Sequence, residues 1–211
     1  STRPETLFPY TTLFRSAYQM DKNINTIIKK YSDKADLMNS LVVTAFLRCH
    51  HLEAGTGFLA QFVDLDPDVE ALPCSISLED VITIFELAIS GAERTTNGAV
   101  YTPSYIRNYI VRQVLHSIAK PLDECLCADI ACGCGAFLYT LAETFHERTQ
   151  VPFATIYHHL YGVDISEISI TRAKILLSLV ALLHGEIIME DDFNLYCGNS
   201  LTFDFISLPN I

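Results

Sequence analysis

Asp129, Gly133, Gly135 and Asp164 are the residues of this sequence whose types and spacing could do chemistry. Asp129 lies in an apolar run, Leu126 to Ile130. The two glycines follow in ADIACGCGAFL, just before an amphipathic helical pattern that opens at Ala136. A turn of this kind lets the backbone take positive φ and come close to a ligand, while the next helix presents free N–H groups. Asp164 ends the following strand pattern, where an acid can accept both hydroxyls of a ribose. Any adenosine-containing ligand suits that pair of positions. An acid placed before the glycine turn would repel a pyrophosphate and attract an ammonium group, however. GCG also lacks the third glycine expected of a dinucleotide turn. Together these features point to a cationic, methionine-bearing nucleoside.

The elements that must position these residues follow from periodicity. From Asp21 to about Ile89 the apolar spacing is helical, clearest in Ala35 to Leu47 and Val81 to Ile89. Ser77 and Asp80 have the spacing of a capping box. An irregular connection with Pro67 and Pro73 separates the two runs, and Gly91 to Gly98 reads as a hinge. Thr102 and Pro103 then supply an N-cap hydroxyl and a proline at the first helical position. The helix they start should reach about Ser117 with Ile106, Ile110, Val114 and Ile118 on one face. A strand at Leu126 to Ile130, a helix from Ala136 to about Glu147 and a strand around Ile156 to Val163 come next. Ser166 and Glu167 open a helix that Gly185 stops after Leu183, and a third strand covers Phe193 to Cys197. Strictly alternating strands and helices imply a parallel sheet with right-handed crossovers and ligands beyond the carboxyl ends of the strands. The expected fold is therefore α/β, a partial doubly wound Rossmann-like sheet preceded by a helical N-terminal region.

Half of the residues are hydrophobic, enough for a core, and the formal net charge is −11. That charge argues against a basic nucleic-acid-binding face in these residues. No apolar run reaches the roughly twenty residues of a membrane span, so no membrane partner is expected and a cytoplasmic location is the default. Thr6 to Ser16, TLFPYTTLFRS, matches the in-frame translation of a common short-read sequencing adapter, and residues 1–16 are set aside as an artefact. Residues 17–97 then form the helical region and 98–211 a sheet-bearing region.

Cys125, Cys127, Cys132 and Cys134 form two CxC pairs. Zinc sites usually present CxxC on turns, whereas the first pair here lies on a strand pattern, so no metal is expected. The plainer role is that of small hydrophobes beside a close-packed turn. Other residues also have plain readings. Tyr101 could pack under the helix, Asp129 could be a strand-end acid, Asp164 could complement a helix dipole and Asn199 could serve a turn. Arg107, Arg112, His158 and His159 read as surface or local structure.

The ordered motifs resemble the adenine-N6 DNA methyltransferases of restriction-modification systems, over Gly98 to about Phe205. GAVYTP, Gly98 to Pro103, is similar to the segment that closes over the methionine part of the cofactor, with Tyr101, Thr102 and Pro103. Asp129 to Phe137 resembles the family's glycine motif, with Cys134 at its variable position. Asp129, Ala131, Gly133, Gly135 and Phe137 carry the match. YGVDIS resembles the ribose-binding strand end, with Asp164 and Ile165. CGNSL resembles the motif that reaches the adenine amino group, with Asn199, where many members have Asp, and Ser200. The resemblance implies S-adenosylmethionine as cofactor and DNA as substrate, with specificity and restriction subunits among the partners.

It also implies an Asn-Pro-Pro-Tyr motif that orients the flipped target base. No such motif occurs through Ile211, and Leu208, Pro209 and Asn210 have the wrong order. The expectation is a modification subunit or fused restriction enzyme truncated before its catalytic motif and inactive alone, with the first strand left at an open sheet edge. A protein-glutamine or RNA methyltransferase, a dinucleotide-dependent oxidoreductase and a silent methyltransferase-like interaction module are the alternatives.

Overall fold

The structure, a computed structural model, describes residues 22–31, 33–63, 72, 75–89, 102–121 and 124–208. Among these, the chain forms α1 (Lys22–Tyr31), α2 (Ala35–His50), α3 (Leu78–Leu87), α4 (Ser104–Ser117), β1 (Cys127–Asp129), α5 (Ala136–Thr149), α6 (Phe153–Tyr157), β2 (Leu160–Asp164), α7 (Glu167–Leu183) and β3 (Asn194–Cys197). The strands lie in the order β1, β2, β3, and both pairings are parallel. Parallel neighbours need crossovers: α5 and α6 join β1 to β2, and α7 joins β2 to β3. The register sets Asp129 beside Gly162 and Asp164 beside Cys197, which gathers the carboxyl ends of all three strands. The architecture is α/β, a parallel Rossmann-like sheet with helices before it.

Helix α7 is the spine. The Ser166 hydroxyl accepts the Ser169 N–H at 3.3 Å, Glu167 complements the first turn, and Gly185 at φ +80° follows its end. Residues 175–182 are buried without a break, as expected of a helix apolar on all sides. One side packs on β2, β3 and α5. The N-terminal helices α2 and α3 and a 3-10 turn, Phe58–Phe62, pack on α7 as well, so one hydrophobic core runs through both regions. The Phe58 N–H donates to the Ile188 carbonyl at 2.8 Å and ties that turn to the segment before β3.

The sequence-expected capping box is present at α3. Ser77 Oγ accepts the Asp80 N–H at 3.2 Å, and the Asp80 carboxylate accepts the Ser77 N–H at 2.8 Å.

Arg172, 1% exposed, reaches from α7 into the N-terminal helices. It donates from Nε to Asn39 Oδ1 at 3.3 Å and from Nη1 to the Phe85 carbonyl at 3.0 Å, with its guanidinium 5.4 Å from the centre of the Phe85 ring. Arg172→Met would keep much of the volume but leave those two acceptors without this donor, at about 1–3 kcal/mol for each group. The expected outcome is a fall in the urea midpoint corresponding to about 3 kcal/mol. An unchanged midpoint would show that Arg172 does not hold the layers together.

Four expectations need correction. The buried stripe of α4 is Arg107, Val111 and Leu115, whereas Ile110 and Val114 are 40% and 49% exposed. A sequence rule that places arginine outside misses a cation whose three nitrogens each find an acceptor. The N-cap of α4 is Pro103, at φ −54° and ψ 147°, and no side chain caps it, so the Thr102 hydroxyl does not play that part. Residues 153–157 form helix α6, and β2 starts only at Leu160. Pro152 precedes the helix, and the Glu186 carboxylate accepts the Phe153 and Ala154 N–H groups at 3.0 and 3.2 Å, an N-terminal cap brought from after α7. β1 is three residues long, with Leu126 and Ile130 47% and 55% exposed on either side of it. Among the described residues it pairs only with β2 and lies at the sheet edge.

Candidate functional site

The glycine turn is built by the end of β1 and the start of α5. Asp129 Oδ1 accepts the Ala131 N–H at 3.1 Å, the Cys132 N–H donates to the Val163 carbonyl at 3.0 Å, and the Gly135 N–H returns to the Cys132 carbonyl at 2.9 Å. Gly133 and Gly135 have φ of +52° and +83°, and each has its own reason to be glycine. A Cβ on Gly133 would meet nothing within 4 Å, so that residue faces open space. A Cβ on Gly135 would lie 2.9 Å from the Ala173 Cβ and 3.1 Å from its Cα, so that residue is where α5 presses against α7.

Asp164 locks the turn to the neighbouring strand. Its Oδ2 accepts the Gly133 N–H and its Oδ1 the Ser166 N–H, both at 2.9 Å, and its main-chain carbonyl accepts the Gly198 N–H at 2.8 Å. Each carboxylate oxygen keeps a second lone pair, so the acid is oriented yet still able to receive hydroxyl donors. Burial, only partly offset by the Ala131 N–H, pushes the carboxyl of Asp129 above the ordinary aspartate range, and the charge of Asp164 adds to the rise. Two acids therefore face the turn with no cation bonded to either in the interactions described. The N-terminus of α5, capped by no side chain, supplies amide donors beside them.

The other expected residues are placed as follows. Thr102 and Pro103 are half-buried, with the Thr102 carbonyl accepting from Arg107 Nη1 at 2.7 Å. Phe137 is half-buried on the first turn of α5, Ala131 is exposed, and Ile165 is 59% exposed at the rim beyond β2. Asn199 is exposed just beyond β3, with Oδ1 accepting the Leu201 N–H at 3.0 Å, and Ser200 beside it is half-buried. Asn199 thus forms an Asx turn, and that oxygen retains one lone pair for a further donor. Tyr101, the Gly91 to Gly98 hinge and residues 1–16 lie outside the described residues.

Cys132 and Cys134 are buried, and burial pushes both thiols up, Cys134 to about 12. They pack as small apolar groups in the protonated form.

Sequence reasoning missed Arg107, which is fully buried. It donates from Nε to Thr140 Oγ1 at 3.2 Å and from Nη2 to Glu79 Oε1 at 2.6 Å, besides its bond to Thr102. Two of its three acceptors are 28 and 33 residues away, and no local pattern announces such a meeting.

A family model for N-6 DNA methylases matches residues 81–208. Among solved structures, a protein from Listeria monocytogenes described as a class I S-adenosylmethionine-dependent methyltransferase is similar over 88% of this chain and 56% of its own length. The identity is 16% and the TM-score 0.41. This chain thus spans little more than half the length of that protein. No curated protein matches. Among the described residues, no helix is long and apolar enough to cross a membrane.

Proposed function

The chain belongs to the N-6 DNA methylase family, whose methyl donor is S-adenosylmethionine, and on that footing we propose that residues 98–208 form the cofactor site of an adenine-specific DNA methyltransferase. The observation that carries the reading is Asp164, whose carboxylate bridges the glycine turn and the start of α7 at the open position beside Gly133. That space, with two acids and a helix N-terminus around it, fits a nucleoside carrying both an ammonium group and a carboxylate.

Asp164 would receive the ribose hydroxyls and Asp129 the ammonium group. The amide groups opening α5 would hold the carboxylate. Thr102 and Pro103 would line the methionine side, Phe137 and Ile165 the walls, and Asn199 and Ser200 the adenine. When bound, the cofactor supplies a methyl group on a positively charged sulfur. What this chain does is hold that cation against fixed acids, so that the methyl faces the space where a target amine must arrive. The substrate amine would be N6 of an adenine turned out of the duplex, in a restriction-modification setting with specificity and restriction subunits. No Asn-Pro-Pro-Tyr motif occurs in these 211 residues and their formal net charge is −11, so we assign this chain cofactor binding and not, by itself, catalysis on DNA.

Calorimetry on the 211-residue chain tests this. S-adenosylmethionine should bind, NAD should not, and DNA should remain unmethylated. Binding of NAD without S-adenosylmethionine would replace the reading with an oxidoreductase, and sequence-specific DNA methylation by this chain would contradict the division of labour.

A further inference from the structure

We infer that Arg107 is a positioning residue that transmits the placement of the N-terminal helix α3 to the cofactor site. This rests on the cofactor reading above. Arg107 is fully buried, and its three donor groups go to three separate pieces of chain. These are the Thr102 carbonyl before α4, Thr140 Oγ1 in the second turn of α5, and Glu79 Oε1 in the first turn of α3. Thr140 in turn donates to the Ala136 carbonyl at 3.0 Å, in the turn that opens directly after Gly135. A planar guanidinium has a rigid fork of donors, so one side chain sets the mutual distance of all three segments. Glu79 lies outside the family-matched residues 81–208, so one of the three anchor points comes from the part of the chain that the family model does not cover.

The geometry assigns the tether to one end of the ligand. Arg107 acts on Thr102 and on the start of α5, the side that would face the amino-acid portion. Asp164, which would hold the ribose, is fixed separately by Gly133 and Ser166. Loosening the tether should therefore weaken recognition of the methionine part and leave recognition of adenosine intact.

Glu79→Gln is the gentle test, because the Glu79 side chain is 40% exposed and its loss leaves Arg107 in place. Arg107→Met is the severe one. Calorimetry with S-adenosylmethionine and with adenosine is run on wild type and both variants of the full chain. Backbone amide exchange over residues 102–107 and 136–140 is measured without ligand. The expected result is an S-adenosylmethionine affinity about tenfold lower in Glu79→Gln, lower still in Arg107→Met. Adenosine affinity should not change, and exchange should be faster over both segments. Equal loss of both ligands would reduce the tether to general structural support and overturn the inference, as would unchanged binding in both variants. A wild-type chain that binds no S-adenosylmethionine would overturn the cofactor reading and this inference with it. Wild-type binding with unaffected variants overturns this inference alone.

Discussion

Asp129→Asn is expected to stabilise the protein at neutral pH while lowering its S-adenosylmethionine affinity roughly 30-fold, the equivalent of about 2 kcal/mol for a hydrogen bond to a charged group. Both effects have one cause. Burial raises the Asp129 carboxyl above its ordinary value, and the nearby Asp164 charge raises it further. The folded state therefore prefers the protonated form. The stabilisation from holding that proton is complete below the unfolded aspartate value and is lost as pH rises through the folded one. Near neutrality the ionised acid is a cost that asparagine removes, while the asparagine oxygen can still accept the Ala131 N–H that Asp129 accepts now.

Binding of a cation runs the other way, because it needs the ionised acid. Wild-type affinity should be full well above the raised value and fall as pH drops through it, at a higher pH than an unperturbed aspartate would give. In Asp129→Asn that pH dependence should vanish. Calorimetry across pH and urea titration measure the two halves. Asparagine binding as tightly as aspartate would remove Asp129 from the site.

Gly135→Val should cost about 2–5 kcal/mol of stability. The left-handed backbone at φ +83° accounts for roughly 1–2 kcal/mol, and forcing a side chain into filled space adds about 1–3 kcal/mol. The contact that would be violated involves Ala173 Cα, 3.1 Å from the new Cβ, and a backbone atom in the middle of buried α7 has nowhere to go. Gly133→Ala is the informative contrast. Its φ of +52° carries the backbone penalty, but its Cβ would point into open space. It should fold with a midpoint shift of about 1–2 kcal/mol and lose cofactor affinity, because the methyl occupies the space beside Asp164. Equal urea midpoints for the two variants would mean that the turn is not pressed against α7.

Much of the fold could be read from the chain because its strongest signals are local. Helix α7 runs from Glu167 to Leu183 as the Ser166 cap, the unbroken apolar pattern and Gly185 require. The Ser77 and Asp80 box opens α3 because both partners lie within one turn. Alternation of strand and helix was enough to imply parallel pairing, since short crossovers leave little choice. The reading failed where a partner came from far along the chain. Ile156 and Tyr157 are apolar enough to open the strand pattern that runs to Val163, but they fall in a helix, residues 153–157, whose first N–H groups are capped by Glu186, more than thirty residues on. The α4 stripe went to Val111 and Leu115 with Arg107, since only folding brings Glu79 and Thr140 together to satisfy a buried guanidinium.

For the candidate site the division is the same. The residue types of ADIACGCGAFL and the acid closing the next strand pattern were enough to suggest an adenosine-bearing, cationic ligand, because charge sign and glycine spacing are properties of the chain itself. Only the tertiary structure decided that Gly133 faces open space while Gly135 faces Ala173, and that Asp164 is already oriented by two backbone amides. It also decided that a buried arginine ties the turn's helix to α3. Those are relations between segments, set by packing and by the need of every buried charge for partners, and no single stretch of sequence contains both sides of them.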